Sequence, residues 1–253
     1  LGFGEALAAA LALSHRVDDA LAQEAYLDQV LKNLPPESPS SRVEMMLRRA
    51  RLLVLYGRVP EALRMLGEAE ELAAGTRDDQ WFQVRLARAF ALRQRGDVRT
   101  ALALVEPLRA DARYAAQRLA LKSGIEAEIG LGYLDLGRID LAREPLRRCE
   151  QLYLQAQIKP SVRVAGCMIG LARVQMASGQ VTQAIASLQT LVKSWESANP
   201  GSPFHGEALY WLSQAQSAAG SSALAQQNLR AARDMLAPGK AAFIRRLLIT
   251  SDG

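Results

Sequence analysis

The chain has 253 residues, of which 49% are hydrophobic, 6% aromatic and 23% charged, and its formal net charge is +5. A hydrophobic share dominated by Leu and Ala, with so few aromatics, is ample for a buried core and favours helices over sheets. Two cysteines exclude a disulfide framework, no apolar run reaches the ~20 residues needed to cross a bilayer, and the positive charge is spread along the chain rather than gathered in a tail.

Residues 1–40 read as a degenerate helical unit in which "SHRVDDAL" stands where later units carry a glycine turn. The opening "LGFGEALAAALAL" has no basic leader and includes Glu5, so it reads as helix rather than signal peptide. The expectation is a cytoplasmic chain cut from something longer. A unit that has lost its neighbour exposes part of its apolar face. Leu7, Leu11 and Leu13 are therefore expected to be mobile or covered by a second copy, which would be self-association through the first unit.

The next unit, 41–77, opens on Ser41 and Glu44 at capping-box spacing, and "MMLRRARLLVLY" then keeps a helical period up to Gly57. Pro60 suits the first turn of a following helix, where its missing N–H costs nothing. Unit 78–112 repeats the arrangement with Ala89, Gly96 and Ala101, and Pro107 ends its second helix early. Unit 113–159 carries Gly130, Gly137 and Ala142, with Pro145 inside its second helix, where it removes a hydrogen bond and bends the helix. Unit 160–200 follows with Ser161 after Pro160, then Ala172, Gly179 and Ala184. Unit 201–238 starts at an N-cap pair, Ser202 and Pro203, and continues with Ser213, Gly220 and Ala225. Residues 239–249 read as a terminal capping helix within the 239–253 tail. Trp81 and Trp195 fall near unit boundaries and are expected to pack between neighbours. The loops, "PPESPSS" and "NPGSP" among them, are short and polar, so 1–253 reads as a single domain.

The five glycines recur at intervals of 39 to 42 residues, and an alanine stands five places after each. A glycine closing an apolar-periodic stretch marks a helix end in the left-handed conformation. The alanine behind it lets the next helix approach closely. A period of this length is the signature of a solenoid. The reading is an all-α chain, an α-α superhelix of about five to six helix-turn-helix units with about eleven to thirteen helices.

Seven places before each glycine lies a small residue: Ala50, Ala89, Gly130, Ala172 and Ser213. Three places on, Tyr133 is aromatic, Leu53 and Leu92 substitute for it, and Gln175 departs; Leu66, Leu146, Leu188 and Leu229 fill a large apolar slot beyond the alanine, and Ala69 and Ala232 a further small one. This pattern resembles the tetratricopeptide repeat (TPR) superfamily over most of the chain. The units exceed the family's usual 34 residues, and units of this length are similar to the helical sensor region of large ATP-binding bacterial transcription activators of the maltose-activator type. The resemblance implies a concave face lined by first helices, with Arg51, Arg93, Gln94, Arg173, Tyr210 and Gln214 on it and Glu128 joining from the middle unit. It implies a non-catalytic protein–protein interaction module, the sensor or scaffold portion of a larger bacterial regulatory protein, that takes a peptide or partner in this groove. A small-molecule effector-binding sensor domain is the alternative. An arginine ladder suits an acidic partner, because guanidinium forks pair with carboxylates. The competing reading is that these arginines pair with Glu128 and Glu44. The Lys and Asn set of the family's carboxylate clamp is absent at these places.

Catalysis finds little support in the residues. A Cys–His pair would need Cys149 or Cys167 with His205, yet Cys149 falls on an apolar stripe as a structural thiol. Glu126 and Glu128, two apart, point about 200° from each other on a helix. The glycines end helices rather than cradle phosphates, so no cofactor is expected, and no metal. The clusters Arg48, Arg49, Arg51 and Arg143, Arg147, Arg148 are interspersed with acids, as on a salt-bridged helix surface, which argues against nucleic-acid binding.

Overall fold

Every one of the five spaced glycines ends a helix with positive φ: 74° at Gly57, 100° at Gly96, 71° at Gly137, 77° at Gly179 and 78° at Gly220. The same two hydrogen bonds close each end. Gly57 N–H donates to Val54 O and Arg58 N–H to Leu53 O, and the pair recurs at Gly96, Gly137, Gly179 and Gly220. This is the Schellman arrangement, which satisfies two carbonyls that the helix leaves open.

The computed structural model describes residues 39–55, 57–74, 78–157, 162–198 and 203–235, with isolated helical positions between 19 and 29. Between the turns run α1 (Pro39–Leu55), α2 (Val59–Ala73), α3 (Asp78–Arg95), α4 (Val98–Val105), α5 (Leu119–Asp135), α6 (Ile139–Gln155), α7 (Val162–Ala177), α8 (Val181–Ala198), α9 (Pro203–Ala218) and α10 (Ser222–Met235). Two 3-10 turns, Glu106–Ala110 and Ala112–Ala116, separate α4 from α5. Among the described residues there are ten α-helices and no strand. The expected capping helix at 239–249, the residues around Leu7 and the Pro160–Ser161 cap lie outside the described residues.

The alanines behind the glycines are buried, at 0% exposure for Ala62, Ala142 and Ala184, 3% for Ala101 and 8% for Ala225. The facing small positions are as deeply placed: Ala50, Ala89 and Ala172 at 0%, Ser213 at 2%. Small residues meeting from both helices bring each pair close. The core is a chain of local clusters. One joins α1–α2 to α3, the next joins α3–α4 to α5, two smaller ones link α5–α6 to α7, and the last joins α7–α8 to α9–α10. No cluster reaches past the neighbouring unit, which is the one-dimensional packing of a solenoid. Trp195, stacked on Phe204 with centroids 5.9 Å apart, bridges α8 to α9, and Trp81 packs against the clusters on both sides of α3.

Two local expectations are corrected. α1 begins at Pro39, ahead of Ser41, and Ser40 is the residue that ties it down: its hydroxyl donates to Gln80 Oε1 at 2.8 Å, and Gln80 Nε2 donates to Ser40 O at 2.8 Å. Pro145 lies inside α6, as expected. The second is the shortness of α4, which has 8 residues where α8 has 18. Pro107 stops the α-helix, as expected, but the chain then makes 3-10 turns across the expected boundary at 112. The Asp111 side chain accepts from Arg113 N–H at 2.9 Å to start the second turn.

Candidate functional site

The first helices of successive units, α1, α3, α5, α7 and α9, lie side by side, each touching the next. Counted from the turn glycines, Arg51, Arg173 and Gln214 hold one position, Gln94 and Asp135 another, and Glu128 and Trp211 a third. These three positions fall on one face, within about 60° of each other at 100° per residue. Side chains on it meet across helices.

The centre of this face is an ion-pair network spanning three helices. Arg93 of α3 forks onto Glu128 of α5, with Nε donating to Oε2 at 2.8 Å and Nη2 to Oε1 at 3.1 Å. Its Nη1 also donates to Asp135 Oδ2 at 3.3 Å. Asp135 stands seven residues after Glu128, two helical turns along the same face. Its Oδ1 accepts from both terminal nitrogens of Arg173 of α7 at 3.2 Å. The guanidinium carbon of Arg173 lies 4.5 Å from the Trp211 ring centroid on α9, and Tyr210 meets Trp211 edge-on. Side-chain exposure is only 10–17% for Arg93, Glu128, Asp135 and Arg173, so these charges are paired in a largely dry setting.

Glu207 completes the set. It is half-buried on α9, one turn before Trp211. It stands within electrostatic reach of Arg93 and Arg173 but closes no ion pair among the described residues. Burial pushes its carboxyl up to about 6; the two arginines pull it down, and Asp135 and Glu128 push it further up. Burial also lowers Arg173 below its ordinary value, against the pull of Asp135. For Arg93 burial acts downward, but the charge and hydrogen bonds of Glu128, with Asp135, outweigh it and the net direction is upward.

The sequence-derived residues divide on this map. Arg93, Glu128 and Arg173 gather in one network, with Tyr210 edge-on to Trp211 at its α9 end. Arg51 is exposed on α1, Gln94 and Gln214 are half-buried on α3 and α9, and neither glutamine is part of the ion pairs. The sequence pairs Trp211 with Tyr210 but does not point to Asp135 or Glu207, although the seven-residue spacing to Glu128 and the four-residue spacing between Glu207 and Trp211 place them on the same faces. The pairing reading holds at Arg93, which takes Glu128; Glu44 pairs at 3.6 Å with Arg48, which is not one of the groove arginines.

Other polar clusters are structural. Glu126 is 2% exposed and turned away from Glu128, as two-residue spacing requires. It takes Arg109 Nε at 2.9 Å, an Arg109 terminal nitrogen and the Tyr114 hydroxyl at 3.3 Å, pinning both 3-10 turns onto α5. The Tyr133 hydroxyl donates to Glu106 at the start of that segment. Cys149 and Cys167 are buried; Ser123 Oγ is 3.3 Å from Cys149 Sγ, and Cys167 donates to Leu146 O at 3.5 Å. The hydrogen bond to Cys149 and burial push the Cys167 thiol far up, which withholds the thiolate that nucleophilic chemistry needs. Among the described residues no group of His, Cys, Asp and Glu could hold a metal ion, and no helix is long and apolar enough to cross a membrane.

No protein-family model matches the chain, and no curated protein does. Solved structures do. A Rap protein complexed with Competence and Sporulation Factor superposes with a TM-score of 0.65 at 13% identity, over 92% of this chain and 65% of that one. NprR in complex with its cognate peptide NprX gives 0.59 at 15% identity, over 92% and 65%. A Podosopora anserina protein with nearly identical TPR-like repeats, described as a kinesin light chain, gives 0.55 at 23% identity over 79% and 97%. At these identities the likeness is one of fold: the chain is an all-helical, TPR-like solenoid of stacked helix pairs.

Proposed function

We propose that the chain is a non-catalytic peptide-binding module, with the face lined by α3, α5, α7 and α9 as its groove. The observation that carries the reading is the polar network there: charged side chains held largely dry across neighbouring helices, flanked by Trp211 and Tyr210. Dry ion pairs contribute little net stability compared with apolar packing. Placed in register on the face where solenoids bind, they supply fixed recognition groups beside an aromatic wall. NprR, one of the similar folds, is in complex with its cognate peptide, which supports a peptide as the occupant. The finer reading is the sensor or scaffold part of a larger bacterial regulatory protein in the cytoplasm, on the resemblance to maltose-activator sensor regions. Arg93 and Arg173 are held by Glu128 and Asp135 within the groove, which weakens the case that they grip an acidic partner.

A peptide array probed with the folded protein tests this. The wild type is expected to retain a reproducible subset of sequences, and Gln214→Trp, which adds bulk on the groove face, should lose most of them without a lower melting temperature. An array with no retained peptide, together with a small molecule that raises the melting temperature by mass action, would favour the effector-sensor alternative.

A further inference from the structure

We infer that the α9 end of the groove docks a basic side chain, Lys or Arg, of the bound peptide, with Glu207 as its counter-charge and Tyr210 and Trp211 beside it. The inference rests on the peptide-binding reading above and gives the groove a chemical preference.

The charge balance is the first support. The network sets two guanidiniums, Arg93 and Arg173, against three carboxylates, Glu128, Asp135 and Glu207. Both guanidiniums are already engaged: Arg93 by Glu128 and Asp135, Arg173 by Asp135. Glu207 is left as the surplus, close enough to feel both arginines but bonded to neither. A half-buried carboxylate without a partner is unfavourable, because burial removes water that nothing replaces. An incoming cation relieves that penalty, whereas an incoming carboxylate would add a fourth negative charge.

The second support is independent of charge. Tyr210 is 6% exposed, so its ring is fixed, yet its hydroxyl makes no hydrogen bond among the described residues. It stands one turn after Glu207 on α9 and meets Trp211, whose ring carries Arg173, edge-on. A hydroxyl and a carboxylate one helical turn apart, neither hydrogen-bonded among the described residues, supply the two acceptors a guanidinium or ammonium needs. The Trp211 indole adds an aromatic wall that already stacks with one guanidinium.

The test uses oriented peptide pools with one fixed position set to Arg, Lys, Gln or Glu and the other positions randomised. They are measured by fluorescence polarisation against the wild type, Glu207→Gln and Tyr210→Phe. The wild type should bind the Arg and Lys pools about tenfold more tightly than the Gln pool, and the Glu pool least. Glu207→Gln should erase the preference, and Tyr210→Phe should reduce it. The sign of the pH effect follows from the raised carboxyl. Folding is favoured while Glu207 is protonated, and that contribution is lost as pH rises from 4.5 through about 6. Glu207→Gln should therefore melt no lower than the wild type at pH 7. Binding of the Arg pool should fall as pH drops from about 7 to about 5 in the wild type only. Pools bound without charge preference, or a preference that survives Glu207→Gln, would overturn the docking site and leave the peptide-binding reading intact. Failure to bind any pool would remove both.

Discussion

Arg93→Met should destabilise the protein by about 3–5 kcal/mol, the cost of leaving a buried charge without its partner. The variant keeps most of the apolar stem volume, so lost packing is a minor part. What it removes is the fork onto Glu128, at 2.8 and 3.1 Å, and the link to Asp135 at 3.3 Å. Glu128 is then left at 12% side-chain exposure with no guanidinium, while Asp135 retains Arg173. The second variant decides the cause. Arg93→Met with Glu128→Met replaces the pair by apolar groups, and such replacements are commonly neutral or stabilising. Urea unfolding followed by circular dichroism should show a large loss in the single variant and recovery of most of it in the double. An equal loss in both would mean that packing, not charge, holds α3 against α5.

Gly130→Ala should cost about 1–3 kcal/mol through overpacking. An added Cβ at Gly130 would stand 2.5 Å from Leu146 Cγ and 2.8 Å from its Cδ2, and one at Gly170 would stand 2.6 Å from the same Cδ2. Leu146 is fully buried on α6, wedged between α5 and α7, so it has no room to yield. The equivalent position is Ala or Ser in the other units, which shows how much closer the helices come here. Leu146→Ala alone should cost about 2–5 kcal/mol by opening a cavity. Combined with Gly130→Ala, the added methyl enters that cavity, so the double variant should lose less than the two singles together. Strict additivity in the denaturation cycle would show that the two residues do not meet.

The repeat was legible because its determinants are local. A helix end at Gly96 or Gly220 needs only that residue's backbone freedom, and a small residue behind the turn is written at a fixed distance. The length of α4 was half-legible: Pro107 announces the stop, but the 3-10 turns are held by Glu126 from the next helix, a contact no spacing within the unit reveals. The groove divided in the same way. Aligning on the glycines put Arg93 and Arg173 on the face where the structure gathers the ion-pair network, because each follows from its own helix. Their partners are decided between helices. Asp135 sits two residues from its glycine, where helix-end charges are common, and Glu207 lies near the start of α9. An alignment by unit hides a network that runs across units.

The claim that α3, α5, α7 and α9 form the binding face is tested most directly by site-specific photocrosslinking with a bound peptide. A benzophenone side chain would be placed at Gln94 and Gln214 on that face, and separately at Leu154 of α6 and Leu224 of α10, which are 62% and 53% exposed. Peptide adducts from Gln94 and Gln214 with none from Leu154 or Leu224 is the result expected of a groove on the first helices. Adducts from Leu154 or Leu224 alone would place the peptide on the second helices and contradict it.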